Sequence, residues 1–315
     1  MAALLVAIRF VQFAAAMAAF GVCAFRLYAF TGSAEIFRHE PAHAALDALL
    51  RRATQVAAVL ALIAGLAIVP CVAAEMTGGA ASALDPATLK AVMVATEFGH
   101  AWCGHLAFSA ALVALCVVSP RRWGLAALSL AALLTLASLG WVGHAAMDMG
   151  GGVVHEINQM AHLTAAGLWL GGLLPLGILL HRSSRPDGAA YVPLARAALP
   201  HFSQIGYVAV ALLTLTGSIN SVMLVGSFHA LVTTPYGRLL LVKIALFIAM
   251  VGLAIVNRFR LVPRLRGLGP PDIPLRALCR SVIAEQAIGL AILAVVAVLG
   301  TWPPANAHLP GMMMR

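Results

Sequence analysis

Residues 1–30 read MAALLVAIRFVQFAAAMAAFGVCAFRLYAF, and between residues 3 and 28 the only charges are Arg9 and Arg26. At about 1.5 Å per residue, a helix over that run outreaches the roughly 30 Å of hydrocarbon in a bilayer. The segment lacks the basic opening of a secretory signal, and its apolar run is too long for one. It is therefore expected to remain as a first, uncleaved membrane span.

Working outward, the same pattern recurs along the chain. The whole sequence of 315 residues is 62% hydrophobic and only 10% charged, with a mean hydropathy of +0.96. Soluble domains carry roughly 25% charged residues. Apolar runs predict spans at about 3–28, 53–74, 88–118, 123–147, 154–180, 201–226, 236–258 and 277–300. The expected fold class is all-α, a polytopic bundle of eight transmembrane helices forming a single transmembrane domain over residues 1–315. The alternating short segments of a barrel are missing, and no internal repeat is evident.

Charge placement gives the topology. Arginines cluster in the links 31–52, 119–122, 181–200 and 257–280, whereas the alternate links 75–87, 148–153 and 227–235 are almost free of basic residues. The positive-inside rule then puts the arginine clusters in the cytoplasm and both termini outside. The net charge of +9 thus reflects orientation, and no basic stretch interleaved with aromatics suggests nucleic acid. Cys23, Cys71, Cys103, Cys116 and Cys279 stand singly, as packing residues would, with Cys103 the exception taken up below.

The stretch 140–172, GWVGHAAMDMGGGVVHEINQMAHLTAAGLWLGG, gathers three histidines and three methionines in an outer hairpin. Depth can be counted from the inner arginines. His144 lies 22 residues past Arg122, His162 lies 20 before Arg182 and His100 lies 21 before Arg121, each about 30–33 Å along a helix. Three imidazoles on three spans are therefore expected at one level near the outer membrane edge. Neutral imidazole suits copper, zinc and iron, and thioether sulfur favours Cu(I). Met147 and Met149 follow His144, Met160 precedes His162, Met76 and Met93 lie on the same side, and the tail adds His308 and Met312 to Met314. His155 and His162 share a helix face with Gln159 between them. In 96–108, TEFGHAWCGHLAF, His100 shares a face with Glu97 and with Cys103, while His105 sits a turn deeper and could form a second stop inward. Arg9, Glu97, Lys243 and Glu285 are intramembrane charges. A pair of Glu97 with Arg9 or Lys243 would satisfy them structurally, or they could form an electrostatic shell beside the metal layer. Glu285 could reach Arg280.

The chain resembles the CopD/PcoD family of bacterial inner-membrane copper proteins over nearly its whole length. The most specific match is TPYGRLLLVKIALFIAMVGLAIVNR (234–258), through Thr234, Tyr236, Gly237, Leu239, Leu240, Lys243, Asn257 and Arg258. Arg9 with Phe10, then Thr96, Phe98, Gly99 and Trp102, then Gly143–His144, and His162 with Trp169, Gly171 and Gly172 support it. The resemblance implies a multi-pass inner-membrane protein with periplasmic termini that moves copper inward, beside a periplasmic carrier of the CopC type. With no fused carrier domain, the donor would be a separate protein, and membrane lipids are the other expected partner.

The leading expectation is capture of copper, as Cu(I) or Cu(II), by His100, His144 and His162, with Met147 and Met149 as an outer relay. His155 lies close by, and His105 and Cys103 lie on the way inward. No ATP-binding motif is present, and a non-enzymatic role is expected. Two other readings stand beside it. Matched transmembrane histidines also hold haem b through two axial imidazoles, in an electron-transfer protein or cupric reductase using His100 or His105 with His144 or His162. Alternatively, a copper-sequestering module would bind without transport.

Overall fold

The computed structural model describes residues 2–118, 124–142, 152–265 and 272–305. Eight of its helices are long and apolar enough to cross a membrane. They are α1 (Ala2–Tyr28), α2 (Pro41–Thr77), α3 (Glu97–Val118), α4 (Gly124–Trp141), α5 (Gly152–Ser183), α6 (Ala189–Val225), α7 (Pro235–Arg264) and α8 (Ile273–Leu299). There is no strand among the described residues. The expected count of eight stands, and the ends differ in instructive ways.

Helix α2 starts twelve residues before the predicted 53. Pro41 occupies its first turn, where the missing N–H would have no helical partner anyway. Leu46 and Leu50 face the core, and Asp47 accepts from Arg26 and from Arg51, each at 2.8 Å. The charged turn thus continues the helix past the apolar run. Helix α6 likewise reaches back through the predicted link, because Leu194, Ala195, Ala198 and Leu199 are buried on its inner face.

The predicted third span, 88–118, is two helices. A short one, Pro86–Ala95, ends at Thr96, whose backbone is extended (φ −117°, ψ 150°), and α3 begins at the next residue. Thr96 Oγ1 donates to Val92 O at 2.6 Å and accepts from Gly99 N at 3.0 Å, so one hydroxyl closes one helix and caps the next. Gly99 lies against the short helix so closely that a Cβ there would fall 2.2 Å from Val92 O.

The same joint recurs at residue 234. Phe228–Thr233 is a short helix, and Thr234 (φ −83°, ψ 150°) opens α7. Thr234 Oγ1 donates to Ala230 O at 2.6 Å and accepts from Gly237 N at 3.0 Å, and a Cβ on Gly237 would lie 2.3 Å from Leu231 O. One residue later in each joint a side chain reaches back six residues: His100 Nε2 to Val94 O at 2.8 Å and Arg238 Nε to Val232 O at 3.0 Å. TEFGH and TPYGR thus fold alike, a repetition that the sequence reading had missed.

Helix α1 runs through the middle of the bundle, with Ala16, Ala19, Val22, Cys23 and Phe25 fully buried. It crosses α5 at bare backbone. A Cβ on Gly21 would lie 2.1 Å from the carbonyl carbon of Gly171, and one on Gly171 would lie 2.1 Å from Met17 O. Small residues at such a crossing let two helices pack by dispersion where lipid supplies no hydrophobic drive. Here α5 carries a π-helical turn, Gly167–Gly171, ahead of Pro175, which has no N–H to give the helix.

Candidate functional site

The seam between α5 and α6 carries a run of polar side chains inside an otherwise apolar pair of helices. Asn158 Nδ2 donates to Thr216 O (3.0 Å) and to Asn220 Oδ1 (2.8 Å), and Asn220 Nδ2 donates to Gln159 Oε1 (3.0 Å). A turn deeper, His162 Nδ1 lies 2.8 Å from Thr216 Oγ1. The threonine hydroxyl has one proton, and it goes to Leu212 O at 2.6 Å. Thr216 therefore accepts from His162 Nδ1–H, which leaves Nε2 as the bare lone pair. A neutral imidazole with one N–H tied to an acceptor is the form in which histidines bind metals. Gly217 leaves room beside the ring, since a Cβ there would lie 3.5 Å from His162 Cε1. Toward the N-terminal end of α5 His155 is buried, and among the described residues its Nδ1 has no partner.

His100 is placed differently. It is exposed beside the Thr96 joint, and its Nε2 must donate to Val94 O because a carbonyl can only accept. Its Nδ1 then carries the free lone pair. Cys103 and Glu97 on the same helix are exposed.

His105 is fully buried and ties helices together. Ser138 Oγ gives its proton to Thr135 O at 3.0 Å and so accepts from His105 Nδ1 at 2.8 Å. His105 Nε2 then accepts from Gln12 Nε2 at 2.6 Å. The ring stacks on Trp102 at 4.6 Å, and Trp102 Nε1 donates to Gly65 O at 2.9 Å. Four helices, α1 to α4, meet through this imidazole. In this arrangement neither ring nitrogen is free for a metal ion or for haem iron.

His144, Met147 and Met149 lie outside the described residues. The helix before them, α4, ends at Trp141. Gly140 sits against Met160, where a Cβ would come within 3.0 Å of Cγ, and the Trp141 ring lies over Gly104. The end of α4 therefore stands between α3, which carries His100, and α5, which carries His162. Among the described residues, no three His, Cys, Asp or Glu side chains gather into a metal-holding group.

The charges are not paired as the simplest structural alternative required. Glu97 is exposed, and no ion pair among the described residues joins it to Arg9 or Lys243. The Arg9 guanidinium lies against the backbone at Gly300, and its Nε has no partner among the described residues. Glu285 accepts from Asn257 Nδ2 rather than from Arg280, which is exposed. Lys243 lies on α7, and no carboxylate among the described residues pairs with it.

Sequence reasoning missed Thr216, Asn158 and Asn220. Their signal was present as polar residues four apart within apolar runs, Asn158 with His162 and Thr216 with Asn220. That spacing puts each pair on one helix face.

Two family models match. The N-terminal domain of copper resistance protein D-like proteins matches residues 1–154, and copper resistance protein D matches residues 196–299. Among curated proteins, copper resistance protein D of Pseudomonas syringae pv. tomato is 33% identical over 95% of this chain and 96% of its own length. The inner membrane protein YebZ of Escherichia coli (strain K12) is 30% identical over 95% of this chain and 98% of its own. The copper transport protein CutJ of Bacillus subtilis (strain 168) is 30% identical over 73% of this chain and 41% of its own. No solved structure matches.

Proposed function

This chain belongs to the copper resistance protein D family, and from that premise we propose that it takes copper from the periplasmic side of a bacterial inner membrane and passes it into or across the bilayer. The observation that carries this reading is His162: its Nδ1–H is committed to Thr216, and its Nε2 lone pair has no hydrogen-bond partner among the described residues of a polar seam. His144 and His100 are the proposed companions, and Met147 and Met149 form the outer relay. Thioethers hold Cu(I) in a labile way suited to handover, and imidazole accepts either oxidation state. His155, with its unpartnered Nδ1, stands at the mouth of the seam as a stop between relay and site. His105, with both nitrogens engaged, and Cys103, turned outward, are left out of the ligand set.

In this reading the arginine-rich links face the cytoplasm and both termini face the periplasm. A separate periplasmic carrier of the CopC type would deliver the metal to the segment 143–151. Relatives bearing copper resistance and copper transport names support a carrier role over an enzymatic one.

The test is copper binding by purified full-length protein. Wild type should hold copper without a haem Soret band, and the His144→Ala, His162→Ala double variant should lose it. Copper uptake into proteoliposomes then separates a carrier from a sequestering module. Undiminished uptake in the double variant would rule out this site.

A further inference from the structure

The repeated joints extend into the bundle. Lys243 stands nine residues past Thr234, as His105 stands nine past Thr96. His162 lies nine residues before Gly171, as Gln12 lies nine before Gly21, and those two glycines meet at the crossing of α1 and α5. The third member agrees as well. A Cβ on Gly65 would lie 3.7 Å from Gln12 Oε1, and one on Gly217 would lie 3.9 Å from His162 Nδ1. Gln12, Gly65 and His105 in the first half therefore correspond to His162, Gly217 and Lys243 in the second.

The pairs are chemically unlike. Gln12 and His105 are neutral and close a hydrogen bond at 2.6 Å. In the second half the histidine has moved to the α5 position, and a cation fills the place of His105. Trp169 and Phe247 hold α5 and α7 together edge to face, with ring centroids 6.1 Å apart. Trp169 lies two turns past His162 and Phe247 one turn past Lys243, so both polar residues lie on the faces joined by that contact. No carboxylate among the described residues pairs with Lys243. By the correspondence with Gln12 and His105, Lys243 comes opposite His162, so a cation taken up at His162 Nε2 would feel this ammonium across a medium of low dielectric.

Resting on the copper reading above, we infer that Lys243 is the residue that selects the charge of the bound metal, favouring a soft monovalent cation over a divalent one at His162. Coulomb repulsion scales with the charge of the incoming ion, so one ammonium penalises a dication about twice as much as a monocation. Imidazole alone would favour divalent copper or zinc strongly. A fixed positive neighbour offsets that preference without adding a ligand. It also explains why the second half departs from the closed neutral pair of the first.

The measurement is a competition of Zn(II) against Ag(I), the latter a stand-in for Cu(I), on full-length protein in detergent. Lys243→Met should raise the affinity ratio of Zn(II) to Ag(I) by about tenfold or more, and Lys243→Gln, which keeps a polar group, should do the same. Lys243→Arg should leave it within about twofold, because the charge remains. An unchanged ratio in both neutral variants, with Ag(I) binding still lost in His162→Ala, overturns the role of Lys243 and leaves the copper site standing. Ag(I) binding that survives His162→Ala overturns the site and this inference with it.

Discussion

The two halves of the molecule place polar residues at corresponding positions and use them in opposite ways. In the first half, Gln12, His105, Ser138 and Trp102 bond to one another and to the Gly65 carbonyl, joining four helices at a fully buried imidazole whose two nitrogens are both engaged, while Gln12 Oε1 has no partner among the described residues. In the second, the ladder through Asn158, Asn220 and Thr216 ends on His162, whose other nitrogen has no hydrogen-bond partner among the described residues, with Lys243 at the place that His105 fills in the first half. A polar cluster inside a bilayer is costly unless it is satisfied. The first half commits both nitrogens of its imidazole internally and serves as a strut. The second leaves an acceptor open, which is the condition for taking up a ligand.

The largest effect is expected where the halves meet. Gly171→Leu drives a side chain into the Met17 carbonyl at a place where even a Cβ would lie 2.1 Å away. Two packed backbones cannot both retreat, so folded protein should be lost on detergent size-exclusion chromatography. Gly252→Leu, with open space around its Cβ position, should run as wild type. Equal behaviour of the two variants would dissolve the α1–α5 crossing as the joint between halves.

Next comes the contrast between the two histidines. His105→Ala strands the Gln12 amide and removes the ring under Trp102, although Ser138 Oγ keeps its bond to Thr135 O. The orphaned buried amide costs about 1–3 kcal/mol and the cavity left under Trp102 adds to it, so a total loss of roughly 2–5 kcal/mol is expected. His162→Ala strands less, because Thr216 Oγ1 keeps its bond to Leu212 O. Thermal unfolding should therefore rank His105→Ala well below His162→Ala, while copper binding should rank them the other way. Loss of copper binding in a folded His105→Ala protein would merge two roles that the structure keeps apart.

How much of this was legible beforehand follows the length scale of the cause. Span number depends on apolar runs longer than a bilayer is thick, and eight such runs produced eight helices. Helix ends depend on single residues that close or extend a turn. Asp47 bridging Arg26 and Arg51 carried α2 outward, and Thr96 broke the third span. The repeat was hidden for a similar reason. TEFGH and TPYGR share only Thr and Gly, yet those two supply the hydroxyl and the missing Cβ that the joint requires. The depth count could place His100 and His162 along their helices but could not show which way a ring faces. His105 took both its partners from residues 93 and 33 positions away. No local pattern could have shown that its nitrogens were spoken for.

A smaller effect sharpens the second half alone. Thr216→Val keeps the shape of the side chain and removes the oxygen that fixes the His162 tautomer. Losing an outer partner of this kind lowers metal affinity by about 10–100-fold, with little change in thermal stability, because the Asn158 bond runs to the Thr216 backbone and survives. Copper titration of the variant checks this, and an unchanged affinity would mean that the threonine does not orient the ring.

The smallest expected difference lies between the short helices that precede the two joints. Each has a side-chain cap, Asp85 accepting from Thr88 Oγ1 and N, and Ser227 accepting from Ala230 N. The Thr88 hydroxyl and then its backbone N–H hold the Asp85 carboxyl below its ordinary value, whereas a serine hydroxyl does not titrate. A carboxylate depressed on folding contributes stability that is fully present above its unfolded pKa, about 3.9, and disappears as pH falls through the folded value. Between about pH 5 and pH 2, amide protection in Pro86–Ala95 should therefore weaken once intrinsic exchange is corrected for, while Phe228–Thr233 stays level. Asp85→Asn should flatten the first profile, since an amide can still cap but carries no charge to lose. If both helices fray together on acidification, the cause lies in the shared threonine joints and not in the caps that distinguish them.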